Sequence, residues 1–300
     1  VIDAIRGTER FYESDALLLV ASTAGGTGSG SIPIMTQIIK ERYMDKAVYA
    51  LLALPFEHEE QTEERTIHNT VTCLKSVSSV ADAVILVDNQ RYVKKDSSLI
   101  NNMIRINELI VEPFYDLLCA GEEKKVKRIG ARLLDAGDIM QTLSGFTVLG
   151  YGRSELPLIR LPFRHTSNFR EKGTETHKGI QAMDRAFSEL SLGCDPKDAS
   201  RALYLLSAPT IEMNMDLVKE LGDYLKDVAS EAIIRYGDYP RGGNTLTVTV
   251  ILSQLKHVEK IKQYYDEFPK VLQEKQNREE DIEASLRQLT NASMTVPSLL

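Results

Sequence analysis

The sequence predicts an α/β fold: a doubly wound parallel sheet, then a long central helix, then a second region of α+β character. Three observations carry this reading. Short, wholly apolar runs at residues 16–21, 47–54 and 83–87 alternate with stretches of helical periodicity. That is the pattern of parallel strands buried on both faces and joined by crossover helices. A glycine-rich turn, Ala24-Gly25-Gly26-Thr27-Gly28-Ser29-Gly30, follows the first of these runs. Much later, Thr245–Leu252 alternates Thr and Val with a period of two, as a strand does.

In chain order, residues 1–13 read as the end of a helix, and Ala16–Ala21 as the first strand. Ile32–Arg42 is helical, with Pro33 in the first turn, where its missing N–H does no harm. A second strand (Ala47–Leu54), a helical stretch (59–78) and a third strand (Ala83–Val87) follow. The long helix spans 97–120, with Ile100, Met103, Ile104, Leu109, Ile110, Phe114, Leu117 and Leu118 on one broad face. Pro113 is expected to bend it. The second region reads as a strand at Phe146–Gly150, a loop at 151–172 holding Arg160, Arg164, Arg170 and Lys172, and a helix at Lys178–Ser191. Strands follow at Ala202–Ser207, Ala232–Tyr236 and Thr245–Leu252, with a helix at 213–228. From Lys256 to about Leu289 the chain is charged and helix-prone, and Pro269 is expected to break it. The expected units are 1–96, 97–144, 145–254 and a charged helical tail at 255–300.

Composition narrows the function. The chain has 300 residues, 43% apolar and 26% charged, which is enough to bury a core without disulfide or metal staples. A net charge of −7 argues against nucleic acid as a direct partner. No apolar run approaches the roughly 20 residues of a membrane span, and no secretory leader is legible, so a soluble, cytoplasmic protein is expected. Cys73, Cys119 and Cys194 and the five histidines (His58, His68, His165, His177, His257) have no metal-ligand spacing. No metal held by the protein's own side chains is expected.

Four glycines in seven residues carry an entropic penalty. They make sense where backbone N–H groups must approach an anion closely at the start of a helix. The hydroxyls of Thr27 and Ser29 are candidate extra donors. The reading is a phosphate cradle at the carboxyl edge of an open sheet. The Gly-Lys-Ser/Thr ending of a Walker A loop is absent, Ser31 stands where a dinucleotide fingerprint needs its third glycine, and Thr27 excludes a G-x-S-x-G elbow.

The turn resembles the G-G-G-T-G-[ST]-G signature of the tubulin/FtsZ superfamily in six of seven positions, with Ala24 replacing the first glycine. The likeness extends through about 250 residues, and the chain looks like a divergent archaeal or bacterial FtsZ-like (CetZ-like) member. It implies that residues 24–30 cradle the phosphates of GTP or GDP, with Mg²⁺ a candidate companion ion. It places Glu59, after Leu54-Pro55-Phe56, at the ribose. It places Asn89 near the guanine. In Ile106-Asn107-Glu108-Leu109, Asn107 becomes the base-specifying residue, since a side-chain amide can serve either edge of guanine. Met103 takes the place of a stacking aromatic one turn earlier.

Residues 133–141 resemble the superfamily's acidic N-x-D-x-x-D loop, with Asp135 and Asp138 at the acidic positions and Leu133 in place of Asn. The resemblance implies that this loop enters the nucleotide site of the next subunit, where the acids position the attacking water. Read from the residues alone, Asp135 and Asp138 cap a helix beginning near Ile139, and the two roles are compatible. Superfamily members also carry strands and a glycine-rich loop upstream of the first strand read here. The expectation is therefore that the 300 residues lack an N-terminal segment. A naturally shortened relative is the other possibility.

The function expected is a GTP-binding, self-assembling cytoskeletal GTPase whose partner is a head-to-tail copy of itself. Two alternatives stand beside it. A non-hydrolysing nucleotide-binding scaffold of the same fold is favoured by Ala24, Leu133 and Met103. An unrelated α/β enzyme acting on a phosphate-bearing substrate is the third.

Overall fold

The structure, a computed structural model, describes residues 5, 7, 14–63, 65–93, 99–122, 134–156 and 169–294. Its elements are β1 (Ala16–Ser22), α1 (Gly26–Arg42), β2 (Ala47–Leu54), α2 (Glu57–Thr62), α3 (Arg65–Ser78), β3 (Ala83–Asp88), α4 (Asn89–Tyr92) and α5 (Leu99–Glu122). They continue with α6 (Ala136–Thr142), β4 (Gly145–Glu155), α7 (Phe169–Ser188), β5 (Arg201–Ala208), α8 (Met215–Val228), β6 (Ile233–Pro240), β7 (Thr245–Leu255) and α9 (Glu259–Met294).

All seven strands join one sheet in the order β1-β2-β3-β4-β7-β5-β6. β1 through β4 run parallel. β7 enters antiparallel between β4 and β5, and β6 pairs with β5 in parallel. The second region thus continues the first sheet instead of building its own.

Alternation along the strands explains the continuous apolar runs. Ala50, Leu52, Leu54, Val84 and Leu86 pack on one face, with Ile32 of α1, Val71, Leu74 and Val77 of α3, Met183 of α7, Leu217 and Leu221 of α8 and Ile261 of α9. Tyr49, Leu51, Ile85 and Val87 pack on the other, with Ile106 and Leu117 of α5 and Ile139 of α6. Both faces are covered, which is the doubly wound arrangement.

Four expectations need correction. Residues 151–155 belong to β4, which runs to Glu155 because it pairs with β7 along its whole length. Gly150 and Gly152 let α7 lie against it, since a Cβ there would fall 2.1 Å from the Ala186 carbonyl oxygen and 1.8 Å from that of Ala182. Arg170 and Lys172 lie in α7 and not in a loop, whereas Arg160 and Arg164 lie outside the described residues. The stretch 59–78 divides into α2 and α3. Finally, α9 continues through Pro269, which sits on an exposed face where water can take the carbonyl that proline leaves unpaired. The helix expected at 1–13 falls almost wholly outside the described residues.

Candidate functional site

The parallel register sets the site's geometry. Ser22 aligns with Ala53, and Ala53 with Val87. The chain segments after β1, β2 and β3 therefore leave the sheet side by side at one edge. The first carries the glycine turn, the second Glu59 and the third Asn89.

Gly25 is the N-cap of α1 in extended conformation, with no side-chain cap. The first backbone bond of the helix runs from Ser29 N–H to the Gly25 carbonyl at 3.2 Å. The N–H groups of Gly26, Thr27 and Gly28 have no acceptor within the helix and point out of its N-terminus, where its dipole favours an anion. The glycines divide by function. At Gly28 a Cβ would lie 2.3 Å from the Ser22 carbonyl oxygen, so the protein's own packing demands glycine there. At Gly25, Gly26 and Gly30 a Cβ would meet nothing within 4 Å, and none of the three has positive φ. Neither packing nor backbone geometry explains them, and the space they leave is what a polyphosphate against bare backbone requires.

Ser29 does not supply a free hydroxyl donor. It is buried, and its Oγ donates to the Gly25 carbonyl at 2.8 Å. Thr27 is exposed. Two residues missed by sequence reasoning brace the turn from α3. Asn69 Nδ2 donates to the Ala24 carbonyl at 2.9 Å, and the buried Thr70 hydroxyl donates to Thr23 Oγ1 at 3.2 Å. Thr23 in turn donates through N–H and hydroxyl to the Ala53 carbonyl, at 3.0 and 3.2 Å.

Glu59 stands in the first turn of α2, where its Oε2 accepts the Phe56 N–H at 2.8 Å. That fixes the side chain at the edge and engages one of its two oxygens. Asn89 begins α4 and is half-buried, behind Asp88, whose Oδ1 caps the helix by accepting the Gln90 N–H at 3.1 Å. Asp88 also binds Lys260 of α9 at 2.9 Å. Burial raises the Glu60 carboxyl above its usual range, while the hydrogen bond from Tyr264 and the charge of Lys260 pull it back. Asn107 is exposed on α5, which touches α4. The Met103 side chain lies outside the described residues. The structure therefore gathers the glycine turn, Glu59 and Asn89 at one edge, and Asn107 lies on the neighbouring α5.

The two acids lie elsewhere. Asp135 is the N-cap of α6, its Oδ1 accepting the Asp138 N–H at 2.7 Å; the capping reading needs correction for Asp138, which lies within the first turn of a helix that begins at Ala136 and not near Ile139. Asp138 faces Arg235 Nε at 3.5 Å. The turn is anchored by Leu134, which is buried against Gly237 of β6, where a Cβ would lie 2.6 Å from Leu134 Cβ. Gln141 receives Arg201 on its carbonyl and Arg235 on its side chain, both at 2.6 Å. Sequence reasoning missed these arginines. Leu133 lies outside the described residues.

α6 leads directly into Gly145, which registers with Ala83, the first residue of β3. The acids thus sit at the amino edge of the parallel strands and the glycine turn at the carboxyl edge. At about 3.3 Å per residue, β3 alone separates the two edges by about 17 Å. α6 also packs on β5, five strands from β1, which adds a lateral offset of about 24 Å at roughly 4.8 Å per strand. Within one chain the acids cannot reach the cradle.

Among the described residues, no group of three His, Cys, Asp or Glu side chains can hold a metal ion, and no helix is long and apolar enough to cross a membrane.

Comparison with known proteins gives a concordant result. Residues 3–95 match the family model described as the tubulin/FtsZ family GTPase domain, and 96–268 match that of the tubulin-like CetZ C-terminal domain. The tubulin-like protein CetZ5 of Haloferax volcanii is 26% identical over 271 residues, covering 86% of this chain and 68% of that protein. CetZ1 of the same organism is 27% identical, covering 84% and 66%, so the chain spans about two thirds of these relatives. A CetZ of Pyrococcus abyssi is 26% identical, covering 95% and 75%. Among solved structures, the GTPγS-bound protofilament of Haloferax volcanii CetZ2 superposes with a TM-score of 0.77 at 24% identity, covering 92% of this chain and 75% of that one. An FtsZ from M. jannaschii superposes at 0.62 with 18% identity, covering 84% and 69%. At these identities the structural matches establish the fold.

Proposed function

We propose that this chain, which belongs to the tubulin/FtsZ family and carries the C-terminal domain of its CetZ members, is a cytoplasmic GTPase that assembles head to tail with copies of itself. The observation that carries the proposal is the glycine turn. Three of its four glycines have no packing or conformational reason, and they border unpaired N–H groups at the edge where Glu59 and Asn89 also emerge. In this reading residues 24–30 hold the phosphates, Glu59 the ribose, and Asn89, Met103 and Asn107 the guanine. Mg²⁺ would arrive with the nucleotide and its waters.

The placement of the acids at the opposite edge supports assembly. Stacking a second copy along the strand direction, with a sideways displacement that takes up the lateral offset, brings its Asp135 and Asp138 toward the open cradle of the first, a heterologous interface that propagates as a filament. Phosphoryl transfer to water depends on positioning and electrostatics. Carboxylates that orient the water from across the interface would therefore couple hydrolysis to assembly. In this reading the units are 1–96, which binds nucleotide, 97–144, which links the base to the acidic turn, 145–254, which builds the rest of the sheet, and a charged tail at 255–300.

A second reading, a scaffold that binds GTP without hydrolysing it, draws on the engagement of both acids: Asp135 in a helix cap and Asp138 with Arg235. Phosphate release from sedimenting polymer separates the two. Asp138→Ala should abolish release while leaving GTP binding and sedimentation intact. Loss of GTP binding in that variant would contradict the assignment.

A further inference from the structure

Glu60 and Asp88 are each one residue from a proposed nucleoside contact, Glu60 beside Glu59 and Asp88 beside Asn89. One helix holds both. Lys260, in the first turn of α9, donates to Asp88 Oδ1 at 2.9 Å and lies 3.8 Å from Glu60 Oε1. One turn on, the Tyr264 hydroxyl donates to the same Glu60 oxygen at 2.5 Å. The Lys260 ammonium also stands 5.8 Å from the centre of the Tyr264 ring. These groups are shielded, with Tyr264 3% exposed and the side chains of Asp88 and Lys260 10% and 19%. α9 is seated against α3 through Ile261 and Tyr264, which with Val258 just before the helix share the core cluster of Val71, Leu74 and Val77, and Phe268 lies beside the His68 ring at 5.6 Å. From Gln276 to Met294, by contrast, every described side chain is exposed.

Lys260 is therefore the cation shared by two carboxylates on two different elements, α2 and the end of β3, in a partly desolvated space where charges act strongly on one another. Without it the two anions face each other, and the strain falls on the segments that carry Glu59 and Asn89. We propose that Lys260 and Tyr264 are positioning residues for the nucleotide. α9 clasps the two segments that carry the proposed nucleoside contacts, so that seating of α9 and occupancy of the site favour each other. Coupling of this kind is reciprocal. It rests on the reading that the nucleotide lies along this edge.

Titration of the full chain with a fluorescent GDP analogue tests it. Lys260→Met should weaken binding about tenfold, and adding Glu60→Gln to that variant should restore most of the loss, because the repulsion goes with the second carboxylate. Tyr264→Phe should give a smaller loss of the same kind, and it carries the test if Lys260→Met does not fold. Reciprocally, GDP should slow amide exchange across residues 259–268 of the unmodified chain. Unchanged binding in Lys260→Met or Tyr264→Phe would overturn the proposal, as would failure of Glu60→Gln to restore binding or exchange in α9 indifferent to GDP. If the unmodified chain bound no GDP, the nucleotide reading itself would fall first, and the positioning role with it.

Discussion

If the glycines of the turn serve a ligand and not the fold, their alanine variants must separate stability from binding. Gly30 lies in the fifth position of α1, exposed, with open space at its Cβ. Replacing a helical glycine by alanine removes an entropic penalty of roughly 0.5–1 kcal/mol. Gly30→Ala should therefore raise the unfolding temperature of the nucleotide-free chain by about 2 °C, and Gly26→Ala, at the first helical position, should change it little. Both should weaken GDP binding about tenfold or more, the value of one hydrogen bond to a charged group, because a methyl intrudes where phosphate meets backbone. Gly28→Ala should behave oppositely. Its Cβ would sit 2.3 Å from the Ser22 carbonyl oxygen, over an ångström inside ordinary contact, and backbone must move, at about 1–3 kcal/mol. Thermal unfolding by circular dichroism without nucleotide, paired with GDP titration, reads both quantities. The reasoning is refuted if Gly26→Ala and Gly30→Ala destabilise the free chain, or if they bind GDP as tightly as the unmodified protein.

Two further predictions concern the acids and a buried charge. Asp135→Asn keeps a good capping side chain and should leave stability within about 0.5 kcal/mol while removing phosphate release, whereas Asp135→Ala should also lose about 1 kcal/mol of stability. Release by Asp135→Asn at the unmodified rate would reduce Asp135 to a cap. Asp116 is buried, and its Oδ1 accepts from Arg241 at 2.8 Å. Burial raises its carboxyl above the ordinary 3.8, with Arg241 and Thr247 opposing. The folded state thus holds this proton more tightly, and the contribution of Asp116 is fullest below 3.8 and falls as pH rises through the raised folded value. Arg241→Met leaves the buried carboxylate without its cation. It should cost about 3 kcal/mol at pH 7, the low end for a buried pair because Arg241 is 29% exposed. At about pH 4, where protonation relieves the charge, it should cost less. Thermal melts at the two pH values check the sign, and a larger loss in acid would contradict it.

The parts legible in the sequence are those whose cause is local. Ala47–Leu54 reads as a buried strand because every residue is apolar, and it is buried because helices cover both faces of the sheet. The glycine turn reads as a cradle because four glycines cluster there. The role of Gly28 was not separable from that of Gly26, since the difference lies in the Ser22 carbonyl six residues away across the turn. The braces left no local trace. Asn69 meets Ala24 from another helix, Arg235 meets Asp138 from β6, and Lys260 meets Asp88 across 172 positions. A lone asparagine or lysine on a helix has no spacing that marks its partner. The run of α9 through Pro269 was set by solvent on its exposed face, against local propensity, and nothing in the side-chain pattern of 59–78 marked the extended residue Glu63 that divides α2 from α3.

The central claim is that one subunit supplies the cradle and its neighbour the acids. Mixing two inactive variants tests it most directly. Gly26→Ala retains the acids with an impaired cradle, and Asp138→Ala retains the cradle without the acid. Each alone should release little phosphate from GTP. In an equal mixture, random head-to-tail pairing joins a sound cradle to sound acids at about one interface in four, so release should recover toward about a quarter of the unmodified rate. A mixture no more active than the sum of its parts, with both variants shown to co-sediment, would contradict the shared site.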